Sequence, residues 1–201
     1  MTPDDLNVSR ETLDKLQAFA DLVQKWTSKI NLISKPSVPE VWDRHILDSA
    51  QLYDLAPSSG HWIDLGSGGG FPGIVVCILA QGQGADQTFT LVESDQRKST
   101  FLRTAIRELS LDARVLTQRI EEIAPKQADI LSARALADLD ALLGFAEMHL
   151  KPGGTALLPK GAQWEKEHRD AQIQWSYDCD PIKSKTNPDA AILKIKDIAR
   201  V

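Results

Sequence analysis

Cysteine is almost missing from this chain of 201 residues: Cys77 and Cys179 are the only two. That is too few for a disulfide framework or a thiolate metal site, so no metal is expected and a reducing cytoplasm is the natural setting. Long apolar runs are also missing, which argues against membrane association. The opening stretch MTPDDLNVSR has no basic-then-apolar signal character. Positive charge is not in excess: 23 Lys and Arg face 28 Asp and Glu, a net charge of −5. Indiscriminate nucleic-acid binding is therefore unexpected, although a local basic face is not excluded. Residues 141–201 carry 9 Lys/Arg against 8 Asp/Glu, whereas residues 1–140 carry 14 against 20. Internal repeats and low-complexity segments are absent as well.

What is present is an ordinary globular composition, 42% apolar and 25% charged. This length buries one good core plus a small appendage. Apolar positions at Leu13, Leu16, Phe19, Val23 and Trp26 predict an amphipathic helix over 9–29, capped by Ser9. Ser37, Pro39 and Glu40 predict the start of a second helix bearing Val41, Trp42, Ile46 and Ala50 on one face, with Arg44, His45 and Asp48 among them. Residues 1–57 thus read as a helical cap closed by Pro57 and Gly60, and residues 58–201 as one compact α/β unit.

The stretch WIDLGSGGGFPG at 62–73 is the chain's most informative feature. A strand runs into a glycine-dense turn (Gly66, Gly68, Gly69, Gly70), and a helix opens at Pro72. Glycines let the backbone approach a ligand where a Cβ would clash. Pro suits a first helical turn, and the free N–H groups of that turn favour an anionic or carboxylate group. Gly68, Gly70 and Gly73 even satisfy the G-x-G-x-x-G spacing, a weak match by itself. TFTLV at 88–92 reads as the next strand, with Glu93 at its carboxyl end, about 20 residues on, where an acid takes a ribose hydroxyl pair. Adenosine dinucleotides and S-adenosylmethionine both present that ribose.

Strands are predicted at 61–65, 88–93, 113–117, 128–133 and 153–159, and helices at 72–81, 95–109, 138–149 and 163–172. Such alternation means a doubly wound, Rossmann-like parallel sheet with helices on both faces. The extended runs 173–179 and 190–197 read as a terminal hairpin. A parallel sheet finished by a hairpin is the architecture of class I S-adenosylmethionine-dependent methyltransferases. Ligands of such sheets sit beyond the strands' carboxyl ends. There the chain offers Asp64 and Gly66, Glu93, the run Arg119, Ile120, Glu121, the run Ser132, Ala133, Arg134, and Lys160. Plain structural readings stand beside these: Asp64 as a brace for the turn, Glu121 and Glu122 as a solvated helix start, Arg134 paired with Asp138, His45 as a satisfied structural histidine, Lys25 and Lys29 as a solvated helix face, and Asp48 as a hydrogen bond bracing the cap against the sheet.

A P-loop kinase is excluded because no Gly-Lys-Ser/Thr follows the glycines. A dinucleotide-dependent oxidoreductase would need a larger substrate domain than the cap supplies; a non-catalytic RNA-binding adaptor on the same fold also stays open. Equilibrium binding of S-adenosylmethionine against NAD separates the three. For a methyltransferase, the acceptor can be argued by subtraction. SARAL at 132–136 is not the Pro-Pro-aromatic grip for an exocyclic amine, and neither cysteine stands at a strand end as a nucleophile for a pyrimidine carbon. A guanine ring nitrogen needs no proton removed, only alignment; a site without an obvious general base fits that chemistry and some others too.

WTSKINLIS (26–34), RHILDS (44–49), WIDLGSGGGFPG (62–73), LVESDQRKSTFLR (91–103), RIEEI (119–123), SARAL (132–136) and LLPKG (157–161) occur in this order. On these motifs the chain resembles, over nearly its whole length, the bacterial small-subunit ribosomal RNA guanine-N7 methyltransferases, the glucose-inhibited division protein B family. The resemblance implies S-adenosylmethionine as donor, S-adenosylhomocysteine as product, and one guanine of 16S ribosomal RNA, free or in a 30S particle, as acceptor. Donor contacts carried over from the family would then be Gly66, Phe71, Glu93, Ile120, Glu121 and Arg134, beside Asp64, Gly68 and Gly70 from the strand end and the glycine turn, with Arg134 also acting in catalysis by meeting donor or phosphate. RNA contact would fall to Lys25, Lys29, Asn31, Arg44, His45, Arg134 and Lys160. Thr27 and Ser67 depart from the commoner Asn and Thr without changing the assignment. A monomer is expected.

Overall fold

Ser9 Oγ accepts from Thr12 N at 3.2 Å and caps α1, Arg10–Thr27, which buries Leu16, Phe19, Ala20 and Val23 along one face. The second helix starts later than Ser37 and Glu40 predict. Ser37 Oγ turns back to Ser34 O at 2.8 Å instead of capping forward, so 35–37 is an isolated 3-10 turn. A π-helical turn, Trp42–Ile46, then leads into the short α2, Leu47–Ala50. The computed structural model describes residues 2–201.

From Ser59 the chain alternates as its pattern predicts: β1 Ser59–Leu65, α3 Gly73–Gly82, β2 Asp86–Val92, α4 Gln96–Glu108, β3 Ala113–Leu116, β4 Ala128–Ala133, α5 Leu139–His149, β5 Leu150–Lys160, α6 Trp164–Ala171, β6 Trp175–Lys183 and β7 Ala191–Arg200. The strands form one sheet in the order β3-β2-β1-β4-β5-β7-β6. β1 to β5 are mutually parallel, and β7 runs antiparallel between β5 and β6. The hairpin is thus inserted by its second strand, an order the sequence pattern does not reveal. Leaving β1, the chain winds outward through β2 and β3, then returns to β4 on the other side of β1. That reversal opens a crevice at the carboxyl ends of β1 and β4.

Side chains alternate across β1 because successive residues of a strand point to opposite faces. Trp62 joins the layer built from α1, α3 and α4, with Phe19, Val75 and Phe101; Ile63 joins the layer under α5 and α6, with Leu142, Leu143 and Trp175. The first layer also carries the N-terminal helices. The Phe19 ring lies 5.3 Å from Phe71 and 6.4 Å from Phe101, so α1 is wedged between the glycine turn and α4. Among the described residues no helix is long and apolar enough to cross a membrane.

Candidate active site

The turn after β1 is held open by backbone pairing. Ser67 N donates to Val92 O at 3.0 Å, Gly70 N to Ser67 O at 2.7 Å, and Gly68 N to Glu93 Oε2 at 2.8 Å. Glu93 Oε1 accepts from Asp95 N at 2.8 Å, so the carboxylate is fixed at the end of β2 by two backbone donors. Each oxygen keeps a lone pair for another donor. Gly68 has φ +52°, and a Cβ built there would meet nothing but Gly66 O, at 3.7 Å. The space it would enter is a cavity of about 510 Å³ lined by Gly66, Gly68, Glu93, Ile120, Glu121 and Leu136, with Lys98, Gln118 and Arg119 also on its walls. Ile120 is buried and Glu121 exposed, an apolar wall beside a polar rim.

Four residues expected at the donor, Asp64, Gly70, Phe71 and Arg134, lie outside this cavity. Asp64 is sealed beneath the turn: its Oδ1 accepts from Ser132 Oγ at 2.6 Å, and Oδ2 is buried without a hydrogen-bond partner, facing Gly73. Burial pushes its carboxyl up to about 6, against the pull of Ser132 and Ser67. Its position at the join of β1 and β4 matches the bracing reading rather than a ligand contact. Gly70 packs inward, since a Cβ there would lie 2.8 Å from Ile74 Cγ1 and 2.9 Å from Phe19 Cζ. Phe71 faces the N-terminal segment, stacked on His45 at 5.0 Å and beneath the Arg134 guanidinium at 5.2 Å.

Arg134 lies just past β4, and its fork is shared among three acceptors. Nη1 donates to Asp48 Oδ2 and to Arg44 O, each at 3.3 Å, and Nη2 donates to His45 Nδ1 at 3.0 Å. The pair with Asp138 does not form; Asp138 instead caps α5 by accepting from Ala141 N at 3.0 Å. A guanidinium has no acceptor to offer, so Nδ1 of His45 must be the bare nitrogen and Nε2 the protonated one. Burial, reinforced by Arg134 and Arg44, pulls the His45 pKa down to about 4, and the ring is neutral at physiological pH. These groups line a second cavity of about 520 Å³ with Asp43, Pro159, Lys160, Ser184, Thr186 and Asn187. Ala135, at φ +52°, lines both cavities and marks where they meet.

The remaining expected RNA contacts are scattered. Lys160 is spent internally: Nζ donates to Ala137 O at 3.0 Å and pairs with Glu167, whose Oε2 also takes Leu139 N at 3.0 Å. Arg44 is exposed and pairs with Glu40 at 3.3 Å. Lys25 lies in a shallow hollow between α1 and the end of α4, beside Asp21 and Glu108, away from both cavities. Lys29 and Asn31 are exposed on the loop after α1, and Leu32 of that loop packs on the glycine turn, where a Cβ on Gly69 would meet Leu32 O at 3.1 Å. Sequence reasoning missed Lys98, Gln118 and the whole β6–β7 turn. Lys98 reads as the solvent face of an amphipathic helix, and no spacing rule links Thr186 to Asp48, 138 residues earlier.

The family model described as rRNA small subunit methyltransferase G matches residues 12–188. The chain is 56% identical to the ribosomal RNA small subunit methyltransferase G of Ruegeria pomeroyi, over all of both chains. Among solved structures, M. jannaschii TYW2 in complex with AdoMet superposes with a TM-score of 0.60 at 14% identity, covering 87% of this chain and 80% of that one. A TehB-like SAM-dependent methyltransferase from Corynebacterium glutamicum gives 0.57 at 13% identity, over 90% and 97%. At such identities these two likenesses concern the fold: an α/β Rossmann-like methyltransferase sheet.

Proposed function

This chain belongs to the rRNA small subunit methyltransferase G (GidB) family, and on that premise we propose a division of labour between its two cavities. The cavity beside the glycine turn takes S-adenosylmethionine; the cavity across Ala135 takes a guanine of 16S ribosomal RNA, which is methylated on N7. The meeting of two separate cavities of similar size at one backbone position carries this reading.

The first cavity suits the donor. A ligand can press against the backbone at Gly68 because no side chain intervenes. Glu93, pinned by two N–H groups, offers its remaining lone pairs to a ribose hydroxyl pair, and Ile120 supplies an apolar wall for an adenine. When bound, S-adenosylmethionine supplies an electrophilic methyl carbon on a sulfonium.

In the second cavity the cations are already paired: Arg134 with Asp48, Lys160 with Glu167, and Arg44 with Glu40 outside its rim. A neutralised lining suits an uncharged base better than a phosphate cluster. No activated nucleophile stands near. Burial pushes the Cys77 thiol up to about 12 and the Cys179 thiol up to about 11, so neither is a thiolate at neutral pH. His45 Nδ1 is occupied by Arg134. A guanine N7 lone pair needs no base; the chain's task is to orient it, and proximity and alignment supply the rate. The family relatives are named for ribosomal RNA, and we propose the bacterial cytoplasm, where that RNA is assembled, as the setting of the reaction.

The deciding experiment is methyl transfer from labelled S-adenosylmethionine to unmodified 16S RNA and to 30S particles, with the modified nucleotide mapped. A single N7-methylguanine is expected. Transfer to another base or atom, or binding of NAD in place of the donor, overturns the assignment.

A further inference from the structure

Asp48 joins three parts of the chain that are remote in sequence. Its Oδ2 accepts from Arg134 Nη1 at 3.3 Å, at the end of β4. Its Oδ1 accepts from Thr186 Oγ1 at 2.9 Å, in the turn between β6 and β7. Gln51, just past α2 and buried, completes the grip on that turn. Gln51 Oε1 accepts from Lys185 N at 2.6 Å, and Nε2 lies 3.3 Å from Thr186 Oγ1 and 3.4 Å from Ser184 Oγ. Ser184 Oγ in turn accepts from the N–H groups of Thr186 and Asn187, at 3.2 and 3.3 Å. Asp48, Arg134, Ser184, Thr186 and Asn187 all line the second cavity.

We propose that Asp48 is a positioning residue for the transfer reaction, fixing Arg134 and the β6–β7 turn as two walls of the acceptor cavity. The proposal rests on the reading that this cavity receives the acceptor base. A carboxylate serves here because the task needs two acceptor oxygens facing opposite ways, one for a guanidinium and one for a hydroxyl. Without it, a largely buried guanidinium keeps only a carbonyl and an imidazole nitrogen as partners and turns toward solvent, while Thr186 keeps only neighbours within its own turn and Gln51. Both walls then shift together. Charge adds to geometry. Alkylating a neutral ring nitrogen leaves a positive charge in the cavity, and the Asp48 carboxylate is the group there that offsets Arg134 as that charge develops.

The test compares Asp48→Asn, Thr186→Val and Thr186→Ser with the parent protein. Five quantities are read: affinity for S-adenosylhomocysteine by calorimetry, kcat and KM on 16S RNA substrate, thermal midpoint, and hydrogen exchange at residues 184–187. In Asp48→Asn, S-adenosylhomocysteine affinity should stay within about twofold, because the donor cavity holds none of these groups. kcat/KM should fall by about a hundredfold, the scale of a reacting group misplaced by about an ångström, with most of the loss in kcat. Exchange at Lys185 and Thr186 should quicken. Thr186→Val should lose activity in the same direction and Thr186→Ser should restore it. An Asp48→Asn protein with parental kcat and KM overturns the proposal, as does one whose activity and donor affinity fall in proportion, since either leaves Asp48 a plain structural brace. If the parent protein methylates no RNA, the functional reading falls instead, and unaltered exchange at 184–187 in Asp48→Asn would still sink the positioning claim.

Discussion

Gly68 donates its backbone N–H to Glu93 Oε2 at 2.8 Å, tying the turn after β1 to the end of β2 across 25 residues. The bond places a side-chain-free peptide and a fixed carboxylate on one wall of the cavity proposed for the donor. Gly68→Val fills that wall with a branched side chain, at a φ that L-residues adopt with strain. S-adenosylhomocysteine affinity measured by calorimetry should fall by about a hundredfold or more, roughly 3 kcal/mol of binding free energy. Gly70→Ala is the control: its Cβ meets Ile74 and Phe19 in the core. It should lower unfolding free energy by about 1–3 kcal/mol, as overpacking does.

Arg134 serves Asp48, Arg44 O and His45 with one planar fork. Arg134→Ala should abolish most methyl transfer and also cost stability, since Asp48 loses its cation. Arg134→Lys separates the two effects. A single ammonium keeps the charge but cannot span three acceptors from one position. It should recover much of the thermal midpoint and little of the rate; full recovery of the rate would show that charge alone is required.

His45 and Asp64 bend the pH dependence of stability in opposite directions. The His45 pKa is pulled from 6.5 to about 4 in the fold, so its contribution is full above 6.5 and is lost as pH falls toward 4. The Asp64 pKa is raised from 3.8 to about 6, so the folded state holds its proton more tightly, and stability falls as pH rises from about 4 to 6. Urea unfolding between pH 4 and 7 should unmask each. His61 and His149 are also held below their usual range by burial, so each contribution is read as a difference: the parent profile minus that of His45→Gln should rise toward pH 6.5, and the parent profile minus that of Asp64→Asn should fall toward pH 6.

Phe19 tests whether the N-terminal helices are an independent unit. Its ring is fully buried among Phe71, Phe101 and Ile74, in the same core layer as the sheet. Residues 1–57 should therefore unfold with the rest in one transition, by tryptophan fluorescence and by far-ultraviolet circular dichroism alike. Phe19→Ala should shift that single transition by about 3–5 kcal/mol. A separate early transition would identify a cap that folds by itself.

Much of the proposed donor side is legible before any folding is considered. Period-two and period-3.6 patterning yields the strands and helices, and the glycines of 66–70 announce a turn that side chains would spoil. Glu93, Ile120 and Glu121 follow from a topological rule, because successive parallel strands must end on the same edge. Asp64 and Gly70 show its limit. Both stand in the right motif, yet the inward pleat of one and the packing of the other turn them into the core.

Local patterning determined the strands, the helices and the glycine turn, because each depends on residues within a few positions of one another, and the rule that parallel strands end on one edge then aligned their polar groups. Which groups pair with which on the proposed acceptor side was decided by tertiary structure. Arg134 meets Asp48 from 86 residues away and Thr186 reaches it from 138, while Lys160 is consumed by Glu167 and Ala137. Whether a surface lysine or arginine is free for a ligand depends on which carboxylate or carbonyl the folded chain brings within about 3 Å of it, and periodicity carries no record of that.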